Sequence, residues 1–208
     1  MRLLSHLASL ASTFTLYDTY VLDLWGVIHD GHTLYSSPSP STSTLDTLTL
    51  LKKHNKHVHL LSNSSRRKQN VQHDLQTKFN IPPTLYTNLV TSGEIGHVSL
   101  SARPPQSLLC IGNGIDDIAY VSDSNWSFSN VESANLILAR GTFSINSELT
   151  DPASPPLSSL RITQLLNEAA KRKIPMLCTN PDKIRPGKRR DIMPGAIASE
   201  YESMGGKV

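Results

Sequence analysis

Cysteine is nearly absent: two residues in a chain of 208. They follow no ligand or disulfide spacing, so neither a disulfide framework nor a thiolate metal cage is encoded. Cys110 and Cys178 each sit in a short apolar run, Leu108 to Ile111 and Pro175 to Cys178, where a small buried thiol in a reducing compartment is expected. Charge is also scarce, at 18% of residues, and nearly balanced, with a formal net charge of +3. That excess is mild and does not imply a nucleic-acid binder. One local cluster stands out, Lys183, Arg185, Lys188, Arg189 and Arg190, which reads as a solvated basic loop or as an aid to acidic substrates. No apolar run has the length of a membrane span. Met1 to Thr15 has no continuous apolar core for a signal peptide. Its single Arg and lack of acid leave a mitochondrial transit peptide as the alternative to a short helix packed through Leu3, Leu4, Leu7 and Leu10. A cytoplasmic protein is the expectation.

Short apolar runs and longer helical stretches alternate along the chain, and hydrophobic residues, at 38%, suffice for a sizeable core. The runs Tyr20 to Asp23, His57 to Leu61, Ser107 to Ile111, Ala134 to Ala139 and Pro175 to Cys178 read as strands. Leu45 to Lys56, Arg66 to Phe79, Thr91 to Leu100, Leu157 to Lys173 and Gly195 to Met204 read as helices. This alternation predicts an α/β fold with a largely parallel sheet. Two polar stretches, Ser36 to Thr44 and Ser147 to Ser159, read as surface loops. A boundary falls near Val90 and Thr91, where one complete set of strands and helices ends and a second begins.

The chemistry concentrates at two strand ends. Tyr20 to Gly31 delivers Asp23 to the carboxyl end of an apolar strand with Gly26 three residues on, and in a parallel sheet that edge is where ligands bind. By itself such an Asp is more often a turn or helix cap. His59 to Arg66 repeats the pattern with Ser62 and Asn63, followed by Ser64, Ser65 and a helix. The Ser62 hydroxyl and helix-start amides suit a phosphate dianion; N-capping by Ser64 or Ser65 is the plain alternative.

Together the two segments resemble the first and second motifs of the haloacid dehalogenase-like superfamily, class IIA. Asp23-x-Trp25-Gly26-Val27-x-His29-Asp30-Gly31 is similar to the opening motif of one branch. Thr91-Ser92 resembles the start of that class's inserted cap, and Thr179-Asn180-Pro181-Asp182 resembles its substrate loop. The resemblance implies a Rossmann-like core with a parallel sheet, incomplete at the C-terminus, plus an inserted α/β cap. Core residues would span 1–90, the cap 91–190, and 191–208 would lead back to the core. It also implies a mechanism for a small phosphorylated metabolite. Asp23 attacks the phosphorus, Mg²⁺ binds the Asp23 carboxylate and the backbone carbonyl of Trp25, Ser62 and Asn63 hold the phosphate, and Asn180, Pro181 and Asp182 bind the substrate. A homodimer through the cap is a further implication.

Three departures accompany the resemblance. Trp25 stands where most of these phosphatases carry an acid/base aspartate, and an indole exchanges no proton near neutral pH. His29 or Asp30 can replace it, or can simply shape the turn before Gly31. The third-motif lysine and the fourth-motif acidic segment have no clear counterpart: Lys207 follows Gly206 but lacks the following proline, and the tail reads as the lead into a further strand. The chain is therefore expected to be C-terminally truncated, and to be either a phosphatase or a protein that binds phosphate without turnover. A dinucleotide-binding turn at Ile111-Gly112-Asn113-Gly114 is a third reading, weakened by the missing third glycine.

Overall fold

The computed structural model describes residues 13–38, 41–149, 159–185 and 191–208. The proposed N-terminal helix and Lys188, Arg189 and Arg190 lie outside them. The chain divides into two compact units, 1–62 with 69–90 and 63–68 with 91–208.

Unit 1 opens with β1 (Thr19–Asp23), followed by β2 (Ser36–Pro38) and β3 (Ser41–Ser43), then α1 (Thr44–Lys53), β4 (His57–Ser62), α2 (Lys68–Phe79) and β5 (Asn88–Thr91). The sheet order is β1-β4-β5, and β1 runs parallel to β4. Strand alternation decides which face is covered: Tyr20, Val58 and Leu60 are buried with Leu48 and Leu51 of α1 and with Val71, Leu75 and Phe79 of α2. Those helical positions recur every three or four residues, so each helix turns one apolar stripe to the sheet. Ser43 starts α1 with a capping box, its hydroxyl accepting from the Asp46 N–H while the Asp46 carboxylate accepts from the Ser43 N–H. The stretch Ser36 to Thr44, expected as a loop, instead carries the antiparallel pair β2 and β3 and the first residue of α1. Small hydroxyl residues give no apolar alternation, which is why these strands leave no mark in the sequence.

Unit 2 comprises α3 (Ser92–Ser101), β6 (Ser107–Gly112), α4 (Asp116–Ser122), β7 (Ser127–Phe128), β8 (Leu136–Ala139), β9 (Ser144–Ile145), β10 (Glu148–Leu149), α5 (Ser159–Lys171), β11 (Met176–Cys178) and α6 (Pro194–Ser203). The order is β10-β9-β6-β8-β11, with β7 also on β6. β6, β7, β8 and β11 pair in parallel, while β9 is antiparallel to β6 and β10 to β9. Both faces of the sheet are covered. Leu109, Ile111, Ile137 and Ala139 meet Ile162 and Leu166 of α5 and Ile197 and Tyr201 of α6. Leu108, Cys110, Leu136 and Leu138 meet Leu100 of α3 and Tyr120 and Val121 of α4. Parallel strands with two covered faces must be apolar throughout, and β8 is buried at every residue. Leu138→Ala is accordingly expected to cost about 2–5 kcal/mol in chemical denaturation.

The α/β class predicted from the sequence is the class observed. Cys110 is free and buried, and Cys178 is free and half-buried. Burial pushes both thiols above the ordinary range. Among the described residues, no helix is long and apolar enough to cross a membrane.

Candidate active site

Register alone brings two of the expected groups together. β1 and β4 run in parallel with Asp23 opposite Leu61, so Asp23 and Ser62 end neighbouring strands on the same edge of the unit 1 sheet. Asp23 is exposed, and its Oδ1 accepts the Leu24 N–H at 2.7 Å. Ser62 is buried.

The turn after β1 is built by Leu24 and Ile28, both buried, with the N–H groups of Ile28 and His29 donating to the Leu24 carbonyl. Gly26 and Gly31 have φ of 89° and 94°, a conformation that disfavours side chains. Gly31 has a second reason to be glycine, since a Cβ there would lie 2.5 Å from Trp25 Cη2. The Trp25 indole thus closes over the turn.

Neither proposed substitute for the missing acid is placed as a free proton carrier. The His29 ring stacks on Phe79 at 4.5 Å, and its Nδ1 accepts the Gly31 N–H at 3.0 Å. Burial lowers its pKa, against the opposing pull of Asp30, Asp23 and Asp74. Asp30 accepts the Thr33 and His32 N–H groups and the Thr33 hydroxyl, and these bonds, led by Thr33, hold its carboxyl below the usual range. Both residues shape the turn, which is the plainer of the two expectations for them.

In unit 2 a second expected group assembles. Asn63 Nδ2 donates to Asp182 Oδ1 at 3.2 Å, and the Asp182 N–H donates to Asn180 Oδ1 at 2.9 Å. The loop that follows β11 is fixed from both sides: the Thr179 N–H donates to the Ala139 carbonyl, and the Gly195 N–H at the start of α6 donates to the Asp182 carbonyl. A side chain at Gly195 would collide with the Pro181 carbonyl. Lys207 belongs to this unit too, its carbonyl accepting the Met176 N–H at 2.8 Å. The Lys183 carbonyl accepts the Met193 N–H at 3.0 Å, and Arg185 lies 3.9 Å from Asp191.

The serine-capping alternative for α2 is only partly met. Ser64 Oγ accepts the Arg66 N–H, but the first helical N–H, that of Lys68, donates to Glu94 at 3.0 Å. Glu94 also binds Arg67 Nε at 2.8 Å, which holds its carboxyl below the usual range. The dinucleotide reading fails on a specific contact. The N–H groups of Asn113 and Gly114 both donate to Asp117 Oδ2 at 2.8 Å, so the amides that would cradle a diphosphate already hold the protein's own carboxylate.

The sequence from 20 to 124, half of the chain, matches the family model described as haloacid dehalogenase-like hydrolase. The chain belongs to the haloacid dehalogenase-like hydrolase family. Solved structures agree with that fold. A haloacid dehalogenase-like hydrolase from Brucella suis is similar with a TM-score of 0.75 at 24% identity, covering 95% of this chain and 69% of that one. A p-nitrophenyl phosphatase from Archaeoglobus fulgidus follows with a TM-score of 0.63 at 19% identity, over 92% of this chain and 66% of that one. A 4-nitrophenylphosphatase from Thermotoga maritima gives 0.63 at 20% identity, over 94% and 67%. The chain thus spans about two thirds of the length of these structures. No curated protein matches the sequence significantly.

Two imidazoles, one half-buried and one buried, set a limit on the stability of the fold. His29 and His97 both have their pKa lowered, first by burial. A folded state that disfavours the charged ring is fully stable above the unfolded value of about 6.5 and loses stability as pH falls from there toward the lowered folded value. The urea midpoint is therefore expected to be flat near pH 7–8 and to drop on acidification below about 6.5, ahead of the carboxylate losses expected below about 4. A midpoint constant down to pH 5 would contradict this.

Proposed function

We propose that the chain carries a class IIA, magnesium-dependent phosphatase site that acts on a small phosphate monoester through Asp23. The observation that supports it most is the parallel register of β1 and β4, which sets an exposed carboxylate beside a strand ending in Ser62. In the reaction, an Asp23 oxygen bonds to phosphorus as the ester P–O bond breaks, and the leaving oxygen takes a proton. Water then attacks the aspartyl phosphate, releasing inorganic phosphate and restoring the carboxylate. Ser62 and Asn63 supply donors to the phosphoryl oxygens.

The donors near Asp23 suit a hard cation. Asp23 Oδ2 has no protein partner among the described residues, and a backbone carbonyl such as that of Trp25 is an oxygen ligand of the same kind. The same residues contain no group of three or more His, Cys, Asp or Glu that could hold a metal, so Mg²⁺ would keep several waters and take phosphate oxygens. When bound, it would offset the charge that gathers on the phosphoryl group.

We assign Asn180, Pro181 and Asp182 to substrate binding, supported by the Asn63–Asp182 hydrogen bond. On this reading residues 1–90 are the core, 91–190 the inserted α/β cap and 191–208, whose α6 packs within unit 2, the lead back to the core. Two buried or half-buried free thiols fit a reducing, cytoplasmic setting. A homodimer through the cap is supported by exposed Ile95 and Val98 on α3 and Ile115 and Ile118 at α4. Light scattering is expected to give twice the chain mass, and a monomer that Ile95→Glu leaves unchanged would remove the dimer.

A second reading, phosphate binding with little turnover, draws on Trp25, His29 and Asp30, none of which is free to shuttle a proton. A panel of phosphate esters with and without Mg²⁺ tests both: release of phosphate only with the metal supports the phosphatase, and phosphate binding without release supports the second reading. Neither release nor binding would overturn the site.

A further inference from the structure

Among the described residues of unit 2, Asp117 and Arg140 form the most deeply buried ion pair, at 2.5 Å with 0% and 2% of their side chains exposed. Sinking two charges costs desolvation that apolar side chains would not incur, so stability alone does not explain the pair. Its geometry offers another reason. Asp117 Oδ2 accepts the Asn113 and Gly114 N–H groups and the Ser144 hydroxyl, and its Oδ1 accepts from one end of the Arg140 fork. The guanidinium lies 4.0 Å from the Tyr120 ring centroid, and its other end, NH2, donates to the Ser65 carbonyl at 3.3 Å. Asn113 Nδ2 spans the same gap, donating to the Arg140 carbonyl at 2.9 Å and to Ser65 Oγ at 3.3 Å.

Further bonds hold the flanking residues. The Gly93 N–H donates to the Ser64 carbonyl and the Thr91 hydroxyl to the Arg66 carbonyl, while Glu94 takes the Lys68 N–H. A side chain at Gly93 would collide with the Ser65 carbonyl. Residues 63–68 are thus stitched into unit 2 at every position, with Ser65 at the centre.

We infer that Arg140 is a positioning residue: locked by Asp117, its fork fixes the Ser65 carbonyl and so sets the backbone from Asn63 to Lys68. A lysine cannot do this, because a single ammonium presents no rigid pair of donors to a carboxylate and a carbonyl at once. The inference rests on the reading of Asn63 as a phosphate ligand only for its consequence in binding; the positioning itself is structural.

The test uses the full chain and Arg140→Lys, which keeps a charge for Asp117. Amide exchange by NMR is expected to accelerate about tenfold at Gly93 and Lys68, with little change at Ile137, whose N–H donates to Pro175 on β8's far side from the pair. Inorganic phosphate, titrated with Mg²⁺, is expected to bind the variant several-fold more weakly than the parent. If Arg140→Lys does not fold, Arg140→Met combined with Asp117→Asn removes both charges yet keeps an acceptor for the Gly112–Gly114 turn, and the same exchange pattern is expected. Exchange that rises equally at all three amides, or at none, overturns the inference. A parent that binds no phosphate while the local exchange change appears overturns the reading of Asn63 and leaves the positioning intact.

Discussion

Asp23→Asn is expected to bring phosphate release to background while leaving the fold in place. The carboxamide is isosteric, and its Oδ1 can still accept the Leu24 N–H that Asp23 accepts at 2.7 Å, so the turn after β1 keeps its cap. Lost is the negative oxygen proposed to attack phosphorus, and an amide oxygen is a far poorer nucleophile and cation ligand. The expected pattern is therefore a loss of chemistry of several orders of magnitude, with the urea midpoint shifted by less than about 0.5 kcal/mol in stability, as for an exposed surface change. Intact-mass measurement adds a second reading of the same step: parent protein mixed with substrate should gain the mass of a phosphoryl group, and the variant should not. Equal phosphate release by parent and variant would remove Asp23 from the reaction.

Much of this was legible because strands that end in polar residues announce their ends. β1 and β4 are short apolar runs stopped by Asp23 and by Ser62-Asn63, and the observed strands, Thr19–Asp23 and His57–Ser62, close on those residues. β6, β8 and β11 and the helices α1, α2, α3, α5 and α6 likewise carry enough periodicity to be read directly. What escaped was short or depended on distant partners. β5 has four residues and β7, β9 and β10 two each, too few to show a period. α4 spans Asp116–Ser122 and mixes acids with buried Tyr120 and Val121 in under two turns' worth of pattern.

The Arg140 clamp was invisible for a different reason. Asn113 and Asp117 share one turn, but Ser65 and Arg140 lie far from it in sequence and meet it only in the folded unit. One local signal existed: an acid three residues after Gly114, placed where it can turn back onto the amides of its own turn. That spacing argues for an internally satisfied turn and against a bound diphosphate, whereas counting glycines alone left the matter open.

Leaving-group chemistry should divide substrates more sharply than any single side-chain change except that of Asp23. An aryl phosphate such as p-nitrophenyl phosphate departs as a stable anion and needs no proton, whereas an alkyl or sugar phosphate departs as a basic alkoxide that does. At Trp25 the site offers an indole, which lies against Gly31. Asp30 is committed to the Thr33 and His32 amides with its carboxyl held ionised, and His29 uses Nδ1 to accept from Gly31. With no residue of that turn placed to give a proton, alkyl esters forgo general acid assistance, commonly about 10²–10⁴-fold in rate. Aryl esters are therefore expected to turn over faster than alkyl esters by about that factor, with the steepest dependence on leaving-group basicity in the first step. Dephosphorylation also lacks a base, so the aspartyl phosphate should accumulate during aryl turnover and appear as a burst of nitrophenolate equal to the enzyme present. Trp25→Asp supplies the missing group and should raise the alkyl rate through the first step and, by speeding dephosphorylation, abolish the aryl burst. Equal parent rates on both classes, with no burst, would mean that a proton donor outside the Trp25 to Gly31 turn serves this site.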